Sequence, residues 1–216
     1  MSILLRQRNV VLIGGFNPAF FDKYFFITND ILKDEEIQPS SQFLGIGGVQ
    51  VISEKYSIII VLNQIIITFL KQETTDADIK KFISLFIKKG NIKNVQNMGF
   101  NFNWHIVYKD KDAVNKASRN FFYHKENKVL AAFFDSDDAS YGMYASKNFE
   151  KARLKFDVKP AKIQEIGKNE VTDEIVFGFN YDFVIKNKET DAEILELVDE
   201  YSVYSEGAKK ITSIFI

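Results

Sequence analysis

No cysteine occurs anywhere in this chain, and that absence excludes disulfides, thiolate nucleophiles and cysteine-ligated metal together. Charge imbalance is missing too: the formal net charge is −1, so nothing pulls the whole molecule toward nucleic acid or acidic lipid. Histidine is down to two residues, His105 and His124. A long apolar run is also lacking. The greasiest stretch, Ser57–Leu70, carries Asn63 and Gln64 at its middle and falls short of the roughly 20 residues a membrane helix needs. At the start, Arg6 and Arg8 break the apolar character of MSILLRQRNVVLIGG, so no signal-peptide core forms. These absences lead to the expectation of a soluble, cytoplasmic protein.

The composition that remains is ordinary for a globular chain, with 46% hydrophobic and 26% charged residues. At 216 residues the chain can hold one large domain or two small ones. Its wealth of Lys, Asn and Ile suggests an AT-rich microbial or phage genome.

One piece of sequence is written twice. Residues 65–79, IIITFLKQETTDADI, align without a gap on residues 180–194, NYDFVIKNKETDAEI. The register continues, with Ile79, Phe82, Ile83 and Phe86 falling on Ile194, Leu197, Val198 and Tyr201. Upstream, Asn9–Asn17 is similar to Asn127–Asp135, each reading as a short apolar strand that ends in a helix-capping residue. Self-similarity at this spacing points to an internal duplication.

Within each copy the expected order is strand, helix, strand, strand, helix, strand. Asn17-Pro18 reads as an N-cap with proline at the first helical position, opening a helix to about residue 33 with Phe20, Tyr24, Ile27 and Ile31 on one stripe. In the second copy, Asp135, Ser136, Asp137 and Asp138 would cap a weaker helix interrupted by Gly142. Strands are expected at 43–53, 57–71 and 93–108, then at 152–163, 171–186 and 209–216. Thr75-x-x-Asp78 and Thr190-x-x-Glu193 both resemble capping boxes.

The expected fold is therefore α+β: two ferredoxin-like βαββαβ units, residues 1–109 and 124–216, with antiparallel sheets packed closely together and a helical bridge at 110–123. In such units strands 1 and 3 are central. Residues 98–107 alternate apolar and polar and so read as a half-exposed edge.

The phrase Phe177-Gly178-Phe179-Asn180-Tyr181-Asp182-Phe183 resembles part of the aromatic motif with which RNA-recognition domains stack bases. That resemblance implies RNA binding on an open sheet face. The opposite face of the neighbouring strand carries Arg153, Lys155, Asp157 and Lys159, so the polar face should be the open one and the aromatics should lie under the helices. Tandem ferredoxin-like units are also similar in architecture to RNA-processing endonucleases of CRISPR systems, but a glycine-rich loop near the C-terminus is missing.

Catalytic signals are thin. His105 reads as a solvated strand-edge residue and His124 as a loop residue, with no adjacent serine or acid to build a triad. Asp135, Asp137 and Asp138 lack the glycine and distal glutamate of a calcium loop. Gly14-Gly15 and Gly45-x-Gly47-Gly48 complete no phosphate or dinucleotide fingerprint and read as packing and bulge positions. Neither a cofactor nor a metal is expected.

Two asymmetries between the copies point to recognition. One repeated helix presents Lys80, Lys81, Lys88 and Lys89, the other Glu196, Asp199 and Glu200. Such faces suit contact with each other, with a second copy or with different partners. In addition, Ile58–Leu70 is apolar on both faces, so something should cover that sheet.

The primary expectation is a non-enzymatic interaction or assembly protein using those helix charges, with a protein partner or self-association into an oligomer and no membrane. The alternative is an RNA-binding protein using Arg153, Lys155, Lys159 and Lys186 on an open sheet face. A third reading is a small-molecule enzyme with a pocket between the sheets, built on His105 and an acidic neighbour.

Overall fold

The computed structural model describes residues 2–164 and 170–216. Apolar and polar residues that alternate along the chain make strands with one buried and one open face. In chain order these are β1 (Ser2–Gly14), β2 (Gln42–Phe43), β3 (Val49–Ile52), β4 (Tyr56–Val61), β5 (Gln64–Phe69), β6 (Val95–Tyr108), β7 (Met143–Phe149), β8 (Ala152–Gln164) and β9 (Val171–Val184). They form one continuous antiparallel sheet in the order β2-β3-β4-β5-β1-β6-β9-β8-β7. The helices are α1 (Lys23–Thr28), α2 (Asp76–Gly90), α3 (Lys111–Phe122), α4 (Lys128–Phe133), α5 (Ala192–Asp199) and α6 (Tyr201–Ser213). The protein is thus α+β, and no described helix is long and apolar enough to cross a membrane.

The core lies between the sheet and the helices. Phe100, Phe102, Tyr181 and Phe183 project from β6 and β9 and meet Tyr201 and Tyr204 of α6, while Phe177 and Phe179 meet Phe156 of β8, all of them buried. Their rings meet edge to face, Phe183 on Tyr204 at 5.0 Å and Phe100 on Tyr201 at 5.0 Å. Each such side chain contributes about 1.5–3 kcal/mol of burial. The aromatic stripe therefore lies beneath the helices, as its alternation requires, and is closed to base stacking. In the other half, Ile58, Ile60, Ile65, Ile67 and Phe69 pack against Ile79, Phe82, Ile83 and Phe86 of α2.

Several elements differ from the sequence reading, each for a physical reason. The expected pair of packed sheets, each ordered 4-1-3-2, is a single sheet. Residues 57–71 form a hairpin, because Val61 pairs with Gln64 and Leu62-Asn63 makes the turn. β6 sits at the centre of the sheet, between β1 and β9. Its alternation reports helices on one side only and is silent about edges. Residues 209–216, expected as a strand, fall largely in α6. There Tyr201, Tyr204, Ser205, Ala208 and Thr212 form a buried helical stripe that overrides the β-branched tail. Residues 128–133 are helix α4, capped by Asn127, where a strand was expected. The segment beyond Asp135 is irregular and leads into β7, where a weak helix was expected.

Asn17 does cap a turn with Pro18 inside it, but that turn is a single 3-10 one, Pro18–Phe20. Phe20 and Tyr24 stay exposed while Phe21, Phe25 and Phe26 enter the core. Thr75 and Asp78 form the expected capping box on α2. Thr190 and Glu193 do not form one on α5. Glu193 instead accepts from the amides of Lys186 and Asn187 at 2.9 Å each, closing the end of β9.

Candidate functional site

All helices that pack on the sheet share one face, so the other face is open. Its composition follows from register. One row across the sheet runs Gln50, Ile59, Ile66, Val11, Gly99, Asp182 and Arg153. The next runs Ile52, Ser57, Thr68, Asn9, Asn101, Asn180 and Lys155. The half built from β3, β4, β5 and β1 carries an apolar group, Ile13 44% exposed and Val11, Ile52, Ile59, Val61 and Ile66 half-buried, interleaved with Gln50, Ser57, Gln64 and Thr68. At the centre the amides bond to one another: Asn101 donates to Asn9 at 2.7 Å, Asn180 to Asn101 at 2.6 Å, and Asn103 to Gln7 at 2.9 Å. Beyond them the β8 side is charged but paired, Lys155 with Asp182 at 3.3 Å and Lys159 with Asp157 at 2.8 Å.

One end of this face holds a buried ionic cluster. β1 shifts register against β6 between Leu5 and Gln7, and from that irregularity the Arg6 side chain reaches across β6 to Glu174 of β9. Arg6 Nη2 donates to Glu174 Oε1 at 2.5 Å, and the Thr172 hydroxyl donates to the same oxygen at 2.5 Å. His105 Nδ1 lies 2.5 Å from Glu174 Oε2. Glu174 is 0% and His105 7% exposed. Burial pushes the Glu174 carboxyl up, but hydrogen bonds from Thr172, His105 and Arg6 outweigh it and hold the group below its ordinary range. Burial pushes the His105 imidazole down, against the pull of Glu174, and leaves it below its ordinary value. A neutral imidazole beside an ionised carboxylate keeps its proton on Nδ1 and turns Nε2 into an acceptor.

This cluster overturns the reading of His105 as a solvated edge residue without an acidic neighbour. The neighbour comes from a strand 69 positions away in sequence, so no local spacing announces it. The available sign was an acidic residue, Glu174, on a strand whose other face is Ile175, Phe177, Phe179, Tyr181 and Phe183. His124 lies exposed in the loop between α3 and α4, where its carbonyl accepts from Asn127. A pocket between two sheets is ruled out by the single sheet. Among the described residues no group of three or more His, Asp or Glu side chains is placed to hold a metal ion.

The charges on the repeated helices are partly brought together. α2 packs beside α5 and α6, and Lys80 donates to the carbonyl of Asp199 at 3.1 Å. Glu196 and Glu200 are 2.7 and 2.6 Å from Lys151, at the turn between β7 and β8. Lys81, Lys88 and Lys89 point outward. Of the cations expected to contact nucleic acid, Arg153, Lys155 and Lys159 share the open face of β8. Arg153 is bonded to Asn148 and to the carbonyl of Ser146. Lys186 lies apart from them, beside Glu193 and the start of α5. Asp135, read as a helix cap, pairs with Arg119 of α3.

No protein-family model matches the chain, and no curated protein matches its sequence.

Proposed function

We propose that this is a non-enzymatic interaction or assembly protein of the cytoplasm that contacts another protein through the open face of its sheet. One observation carries the reading: the apolar residues of that half of the face, Val11, Ile13, Ile52, Ile59, Val61 and Ile66, have no covering layer among the described residues. An apolar patch bordered by amides and paired charges has the anatomy of a protein interface. The helix charges support the reading less, because Lys80 and Asp199 already meet within the chain.

The same proposal includes a duplication. The repeated sequences lie in β5–α2 and β9–α5, placed on either side of the β1–β6 pair. We read the repeat as the trace of two ferredoxin-related copies, residues 1–109 and 124–216, whose strands have joined one sheet.

RNA binding by Arg153, Lys155, Lys159 and Lys186 draws less support, since two of these lysines are neutralised by aspartates on the same face. The test is the double variant Ile59→Lys/Ile66→Lys, compared with wild type by sedimentation velocity and by capture of proteins from the native cell. Loss of self-association or of a captured partner, with circular dichroism unchanged, is the expected result. A wild-type chain that stays monomeric and captures no protein would overturn the proposal. Binding to RNA that weakens steeply with salt would favour the alternative.

A further inference from the structure

On the helical side, away from the open face, a cavity of about 440 Å³ lies between the beginning of β4, the end of β5 and the first half of α2. That volume falls within the ordinary range for small-molecule sites, about 300–1,000 Å³. One wall is aromatic. Tyr56 stacks on Phe82 with ring centroids 4.0 Å apart and planes 20° from parallel, and Phe69 buttresses Tyr56 edge-on at 5.8 Å. Leu85 extends the wall one turn along α2.

The rim is cationic, and its charges are unequally committed. Lys71 is tied to Glu54. The ammonium groups of Lys55 and Lys81 make no ion pair or hydrogen bond among the described residues, although both residues border the cavity. Asp78, a rim carboxylate held below its ordinary range by hydrogen bonds from Thr75 and by Lys55 and Lys81, accepts from the Thr75 amide at 3.2 Å and the Thr75 hydroxyl at 2.7 Å. Glu73 is the other acid on the rim. The cavity thus combines an aromatic wall with two ammonium groups that make no direct ion pair, with Asp78 within electrostatic reach of both and Glu54 of Lys55.

We infer that this cavity is a binding site for a small organic anion with an aromatic body, its ring against Tyr56, Phe82 and Leu85 and its carboxylate between Lys55 and Lys81. Apolar contact supplies most of the affinity, and the two charge-assisted hydrogen bonds select the anion over neutral analogues. The inference is independent of the open-face proposal, because the two surfaces lie on opposite sides of the sheet.

The probe is 1-naphthoate, titrated into the full chain by calorimetry and by amide chemical shifts. Saturable binding is expected, with shifts centred on Tyr56, Thr74 and Lys81, and with 1-naphthalenemethanol binding at least about tenfold more weakly. The variant Lys55→Met/Lys81→Met changes two exposed side chains, so it should fold normally and lose about tenfold in naphthoate affinity while keeping its affinity for the alcohol. Absence of binding, equal affinity for acid and alcohol, shifts centred elsewhere, or unchanged affinity in the double variant would each overturn the site.

Discussion

His105 Nδ1 and Glu174 Oε2 stand 2.5 Å apart on neighbouring strands, and the carboxylate is wholly out of solvent. Arg6 and Thr172 hold the other carboxylate oxygen, so the cluster ties β1, β6 and β9 together across the middle of the sheet. Removing the acceptor leaves the half-buried Arg6 guanidinium and the buried His105 imidazole without that carboxylate. Glu174→Ala should therefore cost about 3 kcal/mol or more of unfolding free energy, and Glu174→Gln less, since it keeps the shape and one acceptor. Urea denaturation of both variants measures this. A loss below about 1 kcal/mol for Glu174→Ala would show that the cluster is not holding the sheet.

The same pair sets a direction for pH dependence. His105 titrates below its ordinary value in the folded chain, so as pH falls below about 6.5 the unfolded chain takes up the proton first. Stability then falls with decreasing pH. Glu174, also depressed, adds stability that is complete above its ordinary range and is lost as pH drops through its folded value. Denaturation midpoints should decline from about pH 7 to pH 5, and His105→Gln should flatten that part of the curve. A wild-type profile already flat there would contradict the burial argument.

Two adjacent glycines should behave differently. A methyl group on Gly14 would collide with the carbonyl oxygen of Asn94 and sit 3.0 Å from Val95 Cα, so the β1–β6 ladder would have to shift. Gly15 has nothing within 4 Å of that position. Gly14→Ala should cost about 1–3 kcal/mol, whereas Gly15→Ala should stay within about 0.5 kcal/mol of wild type. Thermal unfolding of the pair tests the packing role assigned to the first glycine.

The two threonines that look alike in sequence should also separate. Thr75 accepts from the Asp78 amide at 3.1 Å and caps α2, so Thr75→Ala should lose about 1 kcal/mol. α5 has Asp191 at its N-cap and no side-chain cap bond, so Thr190→Ala should change stability little. Equal losses at both positions would mean that α5 is capped in solution as its sequence suggests.

Much of the architecture was legible locally. The strands at 152–163 and 171–186, the helix at 110–123 and the capping box on α2 each follow from periodicity or from a polar residue within one turn. So did the side on which the aromatics of β9 are buried, because a strand exposes its two faces alternately. Errors arose where two structures share a pattern. Alternation is the same for a central strand with one open face as for an edge, and β-branched residues at the C-terminus fit a strand until aromatic packing selects a helix. The repeat of Thr190 on Thr75 preserved the residue but not its hydrogen bond.

The candidate sites were least legible, since their parts meet through distant pairings. Lys80 reaches Asp199 only because α2 and α5 lie side by side. Lys55 joins Lys81 at one cavity only because β4 packs under α2. The sequence by itself determined the class, the absence of cysteine chemistry and which residues could be buried, for these depend on composition and local period. Only the tertiary structure decided that both halves share one sheet, that His105 has an acidic partner and that one sheet face has no covering layer among the described residues. Those depend on strand order, and hydrogen-bonded ladders can join the same strands in many orders without any change in local pattern.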